Sequence, residues 1–293
     1  MHKLDLFIVG AQKAGTTSLK NYLGEHPQII THSSQEFPYF FDKNEYQLGF
    51  NKIYNQYFNQ VNETTFKVVC KHAHLYTSEI GLQRLSKDFP NVSLIFILRN
   101  PVDRAYSSYL MEKLYNRVNF NFDEIPESIN GSSKLKLETW QFEALISFGF
   151  YSFHLKNIYK YFEKEKVRLI LFEDFKNNPL FYLKNIFSEL DVQKNFNPRV
   201  REIHNESSVP RSLLFSGLIK NTLIEENKFK SIIKKVLPGN SALRLGTQLR
   251  DINKKKVQKK LMNESTRAFL TEYFKPYNEE LSEITNLDLS SWN

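Results

Sequence analysis

The stretch from Leu4 to Leu19 passes from the apolar run Leu6-Phe7-Ile8-Val9 through Gly10-Ala11-Gln12-Lys13-Ala14-Gly15 into Thr16-Thr17-Ser18-Leu19. A buried strand followed by a glycine turn and a helix start leaves the first helical amides without partners. The helix dipole adds partial positive charge at the same spot, so the junction is suited to a phosphate or sulfate. The glycine spacing of Gly10 and Gly15 matches that of G-x-x-x-x-G-K-[ST], but Thr16 stands where the lysine belongs and a lysine appears earlier, at Lys13. Losing the Lys-Ser/Thr pair removes both side chains of the usual magnesium and β/γ-phosphate arrangement, which argues against ordinary nucleoside triphosphate hydrolysis.

The remaining apolar runs, near 66–70, 93–98 and 167–172 with a weaker one at 28–31, are short and unalternating, as in strands buried on both faces. Helical patterns at 16–23, 101–115, 151–164 and 179–190 lie between them. The alternation predicts an α/β fold: a three-layer α/β/α arrangement with a mostly parallel, five-stranded sheet and a P-loop-like nucleotide-binding core. With 293 residues the expectation is one domain over 1–293. Ligands in such sheets bind beyond the carboxyl ends of the strands.

A second strand-to-helix junction, Leu94 to Ser107, has Asn100 in position to cap, Pro101 at the first helical place and Asp103 in the first turn. Arg99 then ends a strand beside the cradle, and Ser107 sits about two turns into the helix, where the two could close on a second phosphate.

Charge is concentrated. Of a net +8, residues 211–260 carry +10 and the rest of the chain −2. This basic segment is expected to be helical, either as a solvated face or as a surface that steers an anionic partner. The single cysteine, Cys70, excludes an internal disulfide framework and reads as a small core residue. His72 and His74 form the only local histidine cluster, too little for a metal site, so no metal is expected. The chain opens on a strand without a leader pattern and has no apolar run long enough to span a bilayer, so a cytoplasmic location is expected.

Taken together, these residues resemble the sulfotransferases that use 3′-phosphoadenosine 5′-phosphosulfate (PAPS), specifically the bacterial and Golgi-type carbohydrate branch, and the likeness covers nearly the whole chain. Gly10 to Leu19 is similar to that family's 5′-phosphosulfate loop, and Leu98 to Ser107 to its 3′-phosphate motif. The resemblance implies that Lys13, Ala14, Gly15, Thr16, Thr17 and Ser18 hold the phosphosulfate. It also implies that Arg99, Ser107 and Arg211 grip the 3′-phosphate and that PAP is the product. Gln35-Glu36-Phe37-Pro38-Tyr39-Phe40-Phe41 is similar to the family's Lys-Glu-x-x-Phe-Phe segment, with Glu36 as base, Gln35 in place of the lysine and one residue inserted. Lys71 carries over as a group that polarises the sulfuryl oxygens or orients Glu36, while His72 and His74 remain alternative bases. The implied acceptor is a hydroxyl or amine of a carbohydrate or small metabolite, an anionic one included. Two other classes stay open on the residues alone: a P-loop kinase or NTPase sharing the cradle, and a nucleic-acid-binding protein using the basic segment.

Overall fold

The computed structural model describes residues 2–58, 66–200, 208–210, 254–256 and 262–292. In chain order the elements are β1 (Leu6–Gly10), α1 (Thr16–Gly24), β2 (Ile29–Thr31), α2 (Lys43–Gln47), α3 (Phe50–Tyr57), β3 (Lys67–Lys71), α4 (Glu79–Asp88), β4 (Ser93–Leu98) and α5 (Pro101–Leu114). There follow α6 (Ile125–Ile129), α7 (Thr139–Leu145), α8 (Tyr151–Tyr159), β5 (Val167–Leu171), α9 (Phe172–Asn177), α10 (Pro179–Glu189), β6 (Ser208–Pro210), β7 (Lys254–Lys256) and α11 (Glu264–Thr285). They group into two compact units: Met1–Arg104 with Ile146–His204 and Glu272–Asn293, and Ala105–Leu145 with Asn205–Thr271.

The first unit holds the five-stranded sheet, in the order β2-β3-β1-β4-β5, with every pairing parallel. Leu6 pairs with Val69 on one side and Ser93 on the other, which puts β1 at the centre. Phe7, Ile8 and Val9 on β1, and Leu94 to Leu98 on β4, have no solvent exposure. Each such side chain contributes about 1.5–3 kcal/mol through burial, before conformational entropy is set against it. Because the strands are parallel, the chain leaves β1, β2, β3 and β4 at one edge, and Lys13, Glu36, Lys71 and Arg99 follow or end those strands there. Cys70 is fully buried, as its sequence context implies.

The structure departs from the sequence reading at a few places. The helix expected over 151–164 ends at Tyr159. Leu155, Ile158 and Phe162 keep the buried period going, but Tyr161 N donates back three residues to Ile158 O, a turn rather than a continued helix. The apolar run 167–172 ends as a strand at Leu171, and Phe172 opens α9. In the segment expected to be a basic helix over 211–260, residues 254–256 form β7, an antiparallel partner to β6 with Val209 opposite Lys255. The rest of that segment, Arg211 included, lies outside the described residues.

Gly10 has a packing reason at the end of β1. A Cβ there would lie 2.3 Å from Cδ1 of Tyr76, a ring that is 1% exposed and whose hydroxyl donates to Phe148 O at 2.9 Å. Gly10→Ala is expected to cost about 1–3 kcal/mol, the range of overpacking in a filled core. Urea denaturation checks this, and an unchanged midpoint would contradict it.

Candidate functional site

The cradle is built from backbone. Ala11 N donates to Ile97 O at 2.8 Å, tying the turn to β4, and Ala14 N donates to Ala11 O at 3.1 Å. Gly15 caps α1 with a left-handed φ of 82°, which favours glycine, and a Cβ there would also stand 3.1 Å from the Phe172 ring. No side chain caps α1, and its first turn carries no acidic residue. The amides opening this nine-residue helix therefore face a place suited to an anion, which fits the phosphosulfate of PAPS. Lys13 lies in the turn with a φ of 70°, and its carbonyl accepts from the Arg99 guanidinium at 2.8 Å.

Arg99 is 6% exposed, its guanidinium carbon 5.0 Å from the centre of the Phe172 ring. Burial lowers its pKa, with Asp103 acting in the opposite sense. The following cap has the predicted form: Asn100 Oδ1 accepts from Val102 N at 3.0 Å and Asp103 N at 3.3 Å. Asn100 N itself donates to Glu173 Oε1 at 3.1 Å, a contact the sequence reading did not anticipate. Ser107 is half-buried on the part of α5 that belongs to the second unit.

Glu36 and Lys71, which the resemblance names as base and as a group that could orient it, are hydrogen-bonded partners. Lys71 ends β3 with a side chain that has no exposure, and its Nζ donates to Glu36 Oε1 at 2.7 Å, Thr17 Oγ1 at 3.0 Å and Gln35 O at 3.1 Å. All three ammonium protons are accounted for, as burial of a cation requires. Glu36 is about one-third exposed and its second oxygen, Oε2, accepts from Ala73 N at 2.8 Å. Phe37 and Phe40, both fully buried, anchor the chain just after it. One ammonium thus joins the first turn of α1 to a carboxylate that keeps a solvent-facing side.

His72 and His74 sit on either side of Ala73. His74 N donates to His72 Nδ1 at 3.3 Å, and the His72 ring stacks on Phe41 at 4.4 Å between centres. The His74 ring meets Phe148 edge-on at 5.4 Å. Burial depresses both pKa values, to about 3 for His72, with His74 and Lys71 adding to the effect, and to about 4 for His74, with Arg104 and Lys71 adding. Both imidazoles are neutral at pH 7, and Glu36 is bonded to Lys71 and Ala73 rather than to either ring.

Sequence reasoning passed over Lys20, His32 and Ser34. Lys20 lies one helical turn beyond Thr17 and is 7% exposed, its Nζ donating to His32 O at 3.1 Å and Ser34 O at 2.9 Å. Burial, then the nearby Lys71 charge, lowers its pKa. The three-residue spacing from Thr17 placed Lys20 on the same helix face and was the one signal available. Among the described residues there is no group of three or more potential metal ligands and no helix long and apolar enough to cross a membrane.

A family model described as "Sulfotransferase domain" matches residues 3–230. Among curated relatives, the bifunctional heparan sulfate N-deacetylase/N-sulfotransferase 3 of Mus musculus is 27% identical over 97% of this chain and 30% of its own length. The human N-deacetylase/N-sulfotransferase 1 is 31% identical over 52% of this chain and 18% of its own length. This chain thus spans less than a third of those relatives. A sulfotransferase structure from Alicyclobacillus acidocaldarius shares the fold with a TM-score of 0.66 at 22% identity, covering 100% of this chain and 99% of that one. The family match runs through both junctions and the Glu36–Lys71 pair, and on it the chain belongs to the sulfotransferase family, whose sulfuryl donor is PAPS.

Proposed function

We propose that this enzyme transfers the sulfuryl group of PAPS to an amine or hydroxyl of a carbohydrate, with Glu36 as base and Lys71 as the cation shared between donor and base. The observation that carries the reading is the Lys71 ammonium, bonded at once to Thr17 in the cradle and to Glu36. An in-line transfer needs the accepting atom close to both the sulfuryl group and a proton acceptor, and this bridge brings the two requirements together.

PAPS, when bound, supplies the electrophilic sulfur and an adenosine 3′,5′-bisphosphate leaving group. The amides of residues 15–18 and Lys13 would hold the phosphosulfate, their charge offsetting what develops on the leaving phosphate oxygen, whereas the Ala14 amide is already given to Ala11 O. Arg99 would hold the 3′-phosphate, a planar guanidinium being the group best matched to an oxyanion, while Ser107 and Arg211 have that role from the family resemblance alone. Glu36, held at Oε1 by Lys71, would accept the proton of the acceptor at its solvent-facing side. The carbohydrate is supported by relatives named as heparan sulfate N-sulfotransferases that align with nearly all of this chain.

The test uses PAPS labelled with ³⁵S, EDTA, and polysaccharides built on glucosamine with either free or acetylated amines. Label should enter the free-amine polymer, or both polymers if a hydroxyl is the acceptor, and EDTA should leave the rate unchanged because Lys13 and Lys71 supply the cationic charge. Label released only as free sulfate, or transfer only to non-carbohydrate acceptors, would contradict the proposal.

A further inference from the structure

The segment 32–36, which carries Glu36, has neither helix nor strand geometry, yet its backbone is held at nearly every carbonyl. Lys20 Nζ takes those of His32 and Ser34, Lys71 Nζ that of Gln35, and Ser34 Oγ donates to that of Glu36 at 2.7 Å. His32, 2% exposed, closes the set: its Nε2 accepts from Lys71 N at 3.1 Å, and its Nδ1 lies 2.9 Å from Ser34 Oγ.

The directions of these bonds are fixed by their ends. A backbone N–H can only donate, so His32 Nε2 is unprotonated and the ring proton sits on Nδ1. Nδ1 then donates to Ser34 Oγ, whose own proton goes to the Glu36 carbonyl. The result is a single-direction chain from the Lys71 amide through a neutral imidazole and a hydroxyl to the Glu36 carbonyl. Burial, then the charges of Lys20 and Lys71, holds the His32 pKa near 3, so protonation does not break the chain near neutral pH.

We infer that His32, Ser34 and Lys20 are positioning residues of the transfer site: they lock the Glu36 segment against the end of β3, so that the carboxylate and the Lys71 ammonium are held in register by backbone as well as by their own ion pair. A carboxylate on an irregular segment would otherwise sample several positions, and a misplacement of about 1 Å can cost on the order of 10²-fold in rate. This inference rests on the reading of Glu36 as base.

Ser34→Ala removes one hydroxyl from a half-buried site and tests the chain with little risk to folding. Expected is a fall in kcat of about tenfold or more, with PAP affinity and the KM for PAPS within about twofold, and recovery in Ser34→Thr, which restores the hydroxyl. Lys20→Met should lower kcat with the same pattern. In ¹⁵N-resolved imidazole spectra of the wild-type enzyme at pH 7, His32 should carry its proton on Nδ1. A Ser34→Ala kcat within twofold of wild type while Glu36→Gln is inactive would overturn the positioning role alone, as would a His32 proton on Nε2. Full turnover in Glu36→Gln would overturn the base reading, and this inference with it.

Discussion

Glu36→Gln is expected to cut turnover by at least about 10²-fold while PAP affinity stays within about threefold of wild type. The amide keeps the size of the carboxylate, and its oxygen can still accept from Lys71 or from Ala73 N, so the loop anchored by Phe37 and Phe40 stays in place. What disappears is the proposed proton acceptor. Steady-state assays with labelled PAPS, alongside calorimetric titration of PAP, separate the two quantities. His72→Ala and His74→Ala serve as comparisons, since their rings are neutral and pack on Phe41 and Phe148. If either histidine variant is inactive and Glu36→Gln is not, the base is misassigned.

Lys71→Met should lower turnover further, by about 10²- to 10³-fold, the usual cost of removing one preorganised donor from a charge-developing site. The methionine stem fills the same buried volume, so packing is retained. Three acceptors lose their shared donor: Glu36, Thr17 and the Gln35 carbonyl. A stability loss of about 1–3 kcal/mol is expected from leaving such groups without a partner, offset in part because a buried charge is also removed. Thermal denaturation and the same labelled-donor assay check both numbers. A variant with wild-type turnover would show that Lys71 is a structural cation only.

Much of this architecture is legible in the chain because it depends on local physics. The unalternating runs of β1, β3 and β4 report burial on both faces, whereas β5, at the edge of the sheet, is only partly buried despite the same pattern, and the Asn100-Pro101 cap and the Gly15 turn are short-range grammar that the folded chain reproduces. The Lys71–Glu36 pair is different in kind. A lysine at a strand end reads equally well as solvated, and only a carboxylate 35 residues earlier in the chain makes its burial tolerable. The chain of bonds through His32 and Ser34 is hidden for the same reason, since it links β3 to an irregular loop that no periodicity describes. The charge of the 211–260 segment was visible, but charge has no period, and it did not reveal that Lys254–Lys256 form a strand.

Central to the proposed mechanism is that Lys71 makes the cradle and Glu36 a single transfer site. The direct test is turnover in the double variant Glu36→Gln/Lys71→Met set beside the two single variants, with labelled PAPS and the same carbohydrate acceptor. Residues that act as a unit lose their effect once, so the double variant should fall no more than about threefold below the slower single variant. Losses that multiply, to about 10⁴-fold or beyond, would mean that the two side chains act independently and would contradict the claim.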